Sequence, residues 1–148
     1  MKIHFICRGN VLRSLVAETY VKSLELKDVE CISSGVCIDM NDPMERRYFR
    51  NTLALLKRQG ISKYAKEISD QLTQGRVDWA DVTICVNQRA FNEAMAIVKL
   101  PKNTIVWDIE DIGEGSRAIN KDILSTRMSY EEEIFIEIAI QVQGLLNR

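Results

Sequence analysis

The stretch "IHFICRGNVLRSLVAETY", residues 3–20, decides the fold, because it joins a short apolar run to a helical period through a tight polar connection. Residues 2–7 read as a buried strand ending on Cys7. Arg13 to Leu26 then carries Leu15, Val16, Thr19, Tyr20 and Leu24 at helix-like spacing. The strand therefore feeds a helix through "CRGNVL", a β-loop-α unit with a thiol at its turn.

The same alternation continues along the chain. "VECIS" at 29–33 predicts a second strand, and Asn41-Asp42-Pro43 supplies a capping residue and an early proline for a long helix that Gly60 closes. "DVTICV" at 81–86 and "NTIVW" at 103–107 are the third and fourth strands. Between them lie a short helix at Gln74–Trp79, N-capped by Thr73, and another at Gln88–Val98, which Pro101 stops. Ser129 with Glu132 forms a capping box, and Ile134, Ile138, Val142 and Leu145 mark the buried face of a last helix. Strands alternating with helices predict a three-layer α/β/α sandwich on a parallel sheet, formed by residues 1–148 as one domain. The longest irregular stretch is about Asp108 to Met128, and long loops of that kind are often functional.

Composition narrows the partners. A chain of 148 residues, 46% hydrophobic, is large enough to bury a core without disulfides or metal. With 20 basic and 21 acidic residues spread evenly, a net charge of −1 speaks against nucleic acid or an anionic membrane, so any anion recognition must be local. No apolar run approaches a membrane span, and Lys2 ahead of a five-residue apolar stretch is too short for a signal peptide. Four cysteines, Cys7, Cys31, Cys37 and Cys85, at irregular spacing are read as reduced thiols in a soluble cytoplasmic protein. Without a CxxC pair, and with His4 as the one histidine, there is no zinc ligand set.

The loop after Cys7 has the chemistry of an oxyanion site. It lies at the carboxyl end of a strand, where open α/β sheets bind ligands. Gly9 and Asn10 are the residue types that most easily take left-handed backbone angles, so successive N–H groups of Arg8, Gly9, Asn10, Val11 and Leu12 can turn inward as an anion nest. The helix start adds its positive end, and the forked guanidinium of Arg13 matches two phosphate oxygens at once. Helix N-termini and nearby cations favour the nucleophilic thiolate, and the Ser14 hydroxyl can donate to it. Cys31, Cys37 and Cys85 read as ordinary small apolar residues. Two rival phosphate motifs fail: there is no GxxxxGK[ST], and "GEGSRA" at 113–118 has no following strand to complete a βαβ unit.

"CRGNVLRS" resembles the signature loop of the low-molecular-weight protein tyrosine phosphatases: a cysteine, five residues, arginine and serine, with Gly-Asn inside. "VAETY", "SSGV", "DPMERRYFRNTLALLKRQGI", "QLT", "WADVTICV" and "WDIEDIGEG" follow the family's order over nearly the whole chain. The resemblance implies a flavodoxin-like four-stranded parallel sheet and hydrolysis of phosphomonoesters through a cysteinyl-phosphate, with no metal or cofactor. It implies Cys7 as nucleophile, Arg13 as oxyanion clamp, Asn10 as the brace of the loop and Ser14 as stabiliser of the thiolate. A leaving alkoxide or phenoxide also needs an acid. The family takes it from an Asp-Pro pair, which aligns with Asp111, with Asp108 as understudy. The implied partners are a phosphorylated protein, phosphotyrosine first, or a small aryl phosphate, acted on by a monomer or weak homodimer.

The chain also departs from that pattern. Leu12 replaces a second loop cysteine, Leu15 a proline after the serine, and Ile112 the proline after the acid; the last two loosen elements that position chemistry and point to reduced activity. "CIDMND" and Ile112-Gly113 stand where relatives wall the cleft with aromatics, and Tyr48, Phe49 and Tyr64 are read as packing residues away from it. Glu67 stands near the place where relatives often put a histidine before "QLT", leaving the loop without that support. Threonine is usual at Val11 in the protein-arginine phosphatases, which ranks phosphoarginine below phosphotyrosine. The alternatives are a thioredoxin-coupled arsenate reductase, in which Cys85 matches a second relay cysteine but none stands around Arg89–Met95 for a third, and a weakly catalytic oxyanion-binding module.

Overall fold

The computed structural model describes residues 1–118 and 129–147. Its elements run β1 (Lys2–Cys7), α1 (Arg13–Ser23), β2 (Glu30–Gly35), α2 (Pro43–Arg58), α3 (Gln74–Trp79), β3 (Val82–Cys85), α4 (Gln88–Met95), β4 (Ile105–Val106) and α5 (Tyr130–Leu146), with 3-10 turns at Ser62–Tyr64 and Gly115–Arg117. The four strands are all parallel in the order β2-β1-β3-β4. The chain goes from β1 to one side of the sheet and later returns to the other, so the end of β1 is the topological switch point, where such sheets open a crevice.

Side-chain alternation along β1 divides the core. Ile3 and Phe5 pack with α1 residues Val16 and Val21 and with Ile134, Ile138, Val142 and Leu145, the predicted face of α5. Ile6 joins Cys85, Val77 of α3, and Ala90 and Ala94 of α4 on the other side. Each fully buried Ile or Phe contributes about 1.5–3 kcal/mol. Helix α1 is buried nearly all round, including Glu18, rather than along one stripe.

Local capping chemistry works as read. The Asp42 carboxylate accepts from Met44 N at 2.9 Å and Pro43 opens α2. Gly60 leaves that helix at φ +76°, an angle that a side chain would strain. Thr73 Oγ1 accepts from Arg76 N at 3.3 Å, and Ser129 Oγ from Glu132 N at 3.3 Å.

Element ends set by tertiary pairing differ from the sequence reading. Helix α1 stops at Ser23 rather than Leu26, since Glu25 turns to φ +49°. Strand β2 runs on to Gly35 because its register with β1 holds as far as Cys7. Strand β4 keeps only Ile105 and Val106 of the expected 103–107, the two residues that find partners on β3. Helix α4 ends at Met95 rather than Val98; the following turn is tied to α3, where Lys99 N donates to Gln74 Oε1 at 2.7 Å. Residues 119–128 of the predicted long loop lie outside the described residues.

Candidate active site

Cys7 is the last residue of β1, and the chain turns at once into a loop zipped to β2. Val36 N donates to Cys7 O at 3.0 Å and Cys37 N to Arg8 O at 2.9 Å. The approach is so close that a Cβ on Gly35 would stand 2.8 Å from Arg8 O and 2.9 Å from Asn10 N, so only glycine fits there. Asn10 takes φ +54°, the left-handed angle expected of it, and its N–H turns back to Cys7 Sγ at 3.2 Å. Ser14 Oγ lies 2.8 Å from the same sulfur. The Cys7 thiol thus sits at the floor of the loop, 3% exposed, between a backbone donor and a hydroxyl.

The Asn10 side chain uses all its hydrogen-bonding capacity. Its amide nitrogen donates to Ser14 Oγ at 2.7 Å and Ser33 Oγ at 2.9 Å, and its oxygen accepts from Lys66 Nζ at 2.5 Å and Asp70 N at 2.9 Å. Ser69 Oγ donates to Asn10 O at 2.9 Å, and Thr52 Oγ1 of α2 to Val11 O at 2.5 Å. Glu67 is exposed, and the loop is not left without support from this segment: Lys66, one residue earlier, bonds the Asn10 side chain.

A cavity of about 100 Å³ opens over this floor, walled by Cys7, Arg8, Gly9, Val11, Leu12 and Arg13 and, from outside the loop, by Glu45, Tyr48, Asp111 and Ile112. Asn10 and Ser14, expected among the phosphate-binding residues, are fully buried behind the wall, where their side chains serve each other and the sulfur. Leu12 provides no side-chain cap for α1, whose first-turn N–H groups have no intrahelical partner. Arg8 is half exposed and pairs with Glu93 at 3.7 Å.

Arg13 is the hinge between loop and acid. Buried at 4% exposure, it donates from Nη1 to Ile109 O at 3.1 Å and from Nη2 to Asp111 Oδ2 at 3.3 Å. Asp111 is therefore brought to the cavity, whereas Asp108 is exposed and not among its walls. In place of the missing proline, the Asp111 loop has its own braces. Asp111 N donates to Glu114 Oε1 at 3.0 Å, Ser116 N and Oγ to Glu110 Oε2 at 2.8 and 2.7 Å, and Arg117 Nη1 to Glu110 O at 2.9 Å. Arg117, 6% exposed, also pairs with Glu133 and Glu137 of α5.

The cleft has an aromatic wall after all, which corrects the placing of Tyr48 away from it. Glu45, Tyr48 and Thr52 recur at three- and four-residue spacing on one face of α2, and Thr52 ties that face to the loop. Phe49, one position round, packs on Val11 and Leu15, as a core residue should. Tyr64 lies elsewhere, bonded to Glu25. Glu45 is pushed above the usual carboxylate range, mainly by burial and then by Asp42 and Asp111.

The other candidates stay structural. Burial, helped by Glu18, pushes the Cys31 thiol up to about 12, and burial with the neighbouring Cys7 pushes Cys85 to about 12. His4, fully buried in β1, is pulled down to about 3 by burial and then by Arg76 and Lys66. Among the described residues no cluster of His, Cys, Asp and Glu is arranged to hold a metal ion, and no helix is long and apolar enough to cross a membrane.

Comparison with known proteins bears on this geometry. No curated protein matches the chain by sequence. Among solved structures it is similar to YwlE arginine phosphatase from Geobacillus stearothermophilus, with 23% identity, a TM-score of 0.59 and coverage of 99% of this chain and 93% of that one. It is similar to a low molecular weight protein tyrosine phosphatase from T. tengcongensis, with 21% identity, a TM-score of 0.67 and coverage of 97% and 99%. A thioredoxin-dependent arsenate reductase from Corynebacterium glutamicum shares 19% identity at a TM-score of 0.63, over 99% of this chain and 60% of that one. At such identities these likenesses establish the fold. The model of one family, low molecular weight phosphotyrosine protein phosphatase, matches residues 2–144, and on that match over nearly its whole length the chain belongs to this family.

Proposed function

We propose that this phosphatase hydrolyses phosphomonoesters, protein phosphotyrosine first, through a cysteinyl-phosphate on Cys7 with Asp111 as general acid. The observation that carries the reading is the convergence on one small cavity of a sulfur that accepts from a backbone N–H at 3.2 Å and lies 2.8 Å from a hydroxyl, a buried guanidinium and a carboxylate. In the first step the Cys7 thiolate attacks phosphorus, the bond from phosphorus to the ester oxygen breaks, and Asp111 gives that oxygen its proton. In the second, Asp111 takes a proton from water as the water oxygen attacks phosphorus; the S–P bond breaks and the thiolate returns. Loop N–H groups and Arg13 hold the phosphoryl oxygens throughout. The Arg13–Asp111 pair at 3.3 Å gives substrate binding a further consequence. A phosphoryl dianion competes for the guanidinium and frees the carboxyl beside the leaving oxygen.

Tyr48 on the cavity wall supports an aryl substrate, since its ring can stack on the phenyl group that carries the phosphate. The thiol-relay alternative loses support at Cys85, which is fully buried and held as the protonated, non-nucleophilic thiol. The test is turnover of para-nitrophenyl phosphate without added metal by wild type and Cys7→Ser, with vanadate binding measured on both. Turnover lost in Cys7→Ser while vanadate still binds is the expected result. Turnover that survives the substitution overturns the reading.

A further inference from the structure

We propose that Lys66 is a positioning residue for Cys7: its ammonium fixes the direction of a hydrogen-bond chain, from Lys66 through Asn10 and Ser14, so that every donor in it points toward the sulfur. The proposal rests on the reading of Cys7 as nucleophile.

The argument is one of donors and acceptors. An ammonium has three N–H donors and no acceptor. Lys66 Nζ meets three acceptors: Asn10 Oδ1 at 2.5 Å, Ser33 O at 2.9 Å and Asp70 Oδ2 at 3.0 Å. Lys66 therefore admits only the oxygen of the Asn10 amide on its side, a choice that Asp70 N reinforces, and the amide NH2 must face Ser14 and Ser33. Each serine, having accepted one bond from Asn10, sends its own hydrogen onward. Ser33 Oγ donates to Glu18 Oε1 at 2.8 Å, and Ser14 Oγ to Cys7 Sγ at 2.8 Å. Both branches end on a group that is better stabilised as an anion, one a buried carboxylate and the other the reacting sulfur. A side chain that both donates and accepts leaves only Asp70 N to oppose a turned-over amide, in which Ser14 would face a carbonyl oxygen and its hydrogen be drawn away from sulfur.

The surroundings keep the lysine in place as a cation. Burial draws it below the usual lysine range, with Arg76 acting in the same sense, while Glu18 at 3.8 Å and Asp70 act against that shift. From β1, His4 faces the same cluster as a neutral ring. Around the sulfur itself stand Arg8, Arg13, Glu45, Tyr48 and Asp111 on the cavity wall, and the protonated Cys85. None of these is part of the chain of donors, and each stays in place when Lys66 is changed.

The experiment compares wild type, Lys66→Gln and Lys66→Arg. Alkylation of Cys7 by iodoacetamide is followed against pH by mass spectrometry of its peptide, because the exposed Cys37 reacts as well. Turnover of para-nitrophenyl phosphate is measured alongside. For Lys66→Gln the alkylation midpoint is expected to rise by about one pH unit, an approximately tenfold slower reaction below the wild-type midpoint, with the acid limb of kcat/KM moving in parallel. Lys66→Arg, which keeps a pure donor, stays near wild type. An unchanged midpoint in a folded Lys66→Gln with only a lower Tm overturns the proposal and leaves Lys66 a structural residue. Should Lys66→Gln fail to fold beside the buried Glu18, Lys66→Gln with Glu18→Gln relieves the stranded carboxylate. A raised midpoint in that double variant supports the proposal, and a wild-type midpoint overturns it. A wild type without turnover whose Cys7 midpoint still depends on Lys66 overturns the phosphatase reading and supports the positioning role.

Discussion

The cysteine loop and the acid loop meet at Arg13 and are held there in opposite ways. Around Asn10 the bonds come from α1, β2, the Lys66–Asp70 segment and the loop itself, and all the side chains that Asn10 contacts except Lys66 and Asp70 are fully buried or nearly so. Around Asp111 the braces are Glu110, Glu114 and Ser116, carboxylates and a hydroxyl near the surface, with Arg89–Glu114 at 3.5 Å, and, besides Arg13 itself, Arg117 as a buried anchor. Exposed ion pairs are worth about 0–1 kcal/mol, whereas leaving a buried polar group without its partner costs about 1–3 kcal/mol. The anion floor is thus built to stay fixed, and the acid is carried on a loop that small energies can displace.

Asn10→Ala is the severest way to break the comparison. It removes four hydrogen bonds at once, strands Ser14, Ser33 and Lys66, and puts alanine at φ +54°. Turnover is expected to fall by about a hundredfold or more and stability by about 3 kcal/mol, read from kcat and urea unfolding. A loss under threefold would mean that the floor is not held from Asn10.

On the other side of Arg13 the effects should separate chemistry from stability. Asp111→Asn is expected to lower kcat by about a hundredfold for poor leaving groups and far less for para-nitrophenol, at nearly unchanged Tm. Arg117→Met leaves Asp111 in the chain but removes the contacts to Glu110 O and to Glu133 and Glu137, and about a tenfold loss with the same dependence on leaving group is expected. Equal losses across a leaving-group series for either variant would take Asp111 out of the acid role.

The two regions also differ in how much of them the sequence discloses. Cys7, Gly9, Asn10, Arg13 and Ser14 lie within eight residues, so strand, turn, helix start and their chemistry read together. The caps at Asp42, Thr73 and Ser129 are likewise local, and legible for that reason. Lys66 and Ser33 were not, since they reach Asn10 only through pairings 56 and 23 residues apart. Tyr48 was missed because the direction in which α2 leaves Pro43 is set by packing; the recurrence of Glu45, Tyr48 and Thr52 on one helix face was the signal available. The braces that stand in for the absent proline after Asp111 are polar residues in an irregular stretch, where no periodicity marks a partner.

The smallest expected effect on activity, and the sharpest on stability, comes from His4 beneath the fixed floor. Arg76 Nε donates to Ser34 Oγ at 2.7 Å, the same oxygen lies 2.7 Å from His4 Nε2, and His4 Nδ1 is buried with no partner among the described residues. The folded ring titrates near 3, against 6.5 for the ordinary group, because burial and the Arg76 and Lys66 charges all oppose a second proton. Between those values the unfolded chain binds a proton that the folded one refuses. His4 therefore leaves stability intact above about pH 6.5 and removes it progressively as pH falls toward 3, by roughly 5 kcal/mol at the most. Urea midpoints measured from pH 7 down to 4 should fall steeply in wild type and in Arg117→Met, whose change lies on the acid-loop side, but more gently in His4→Gln, which keeps a hydrogen-bonding group for Ser34 and has nothing to titrate. At pH 7 turnover by His4→Gln should stay within about twofold of wild type. An equally steep fall in His4→Gln would assign the acid sensitivity to the carboxylates around Arg13, and the contrast between a fixed floor and a displaceable acid loop would then have to be drawn from their charges rather than from burial.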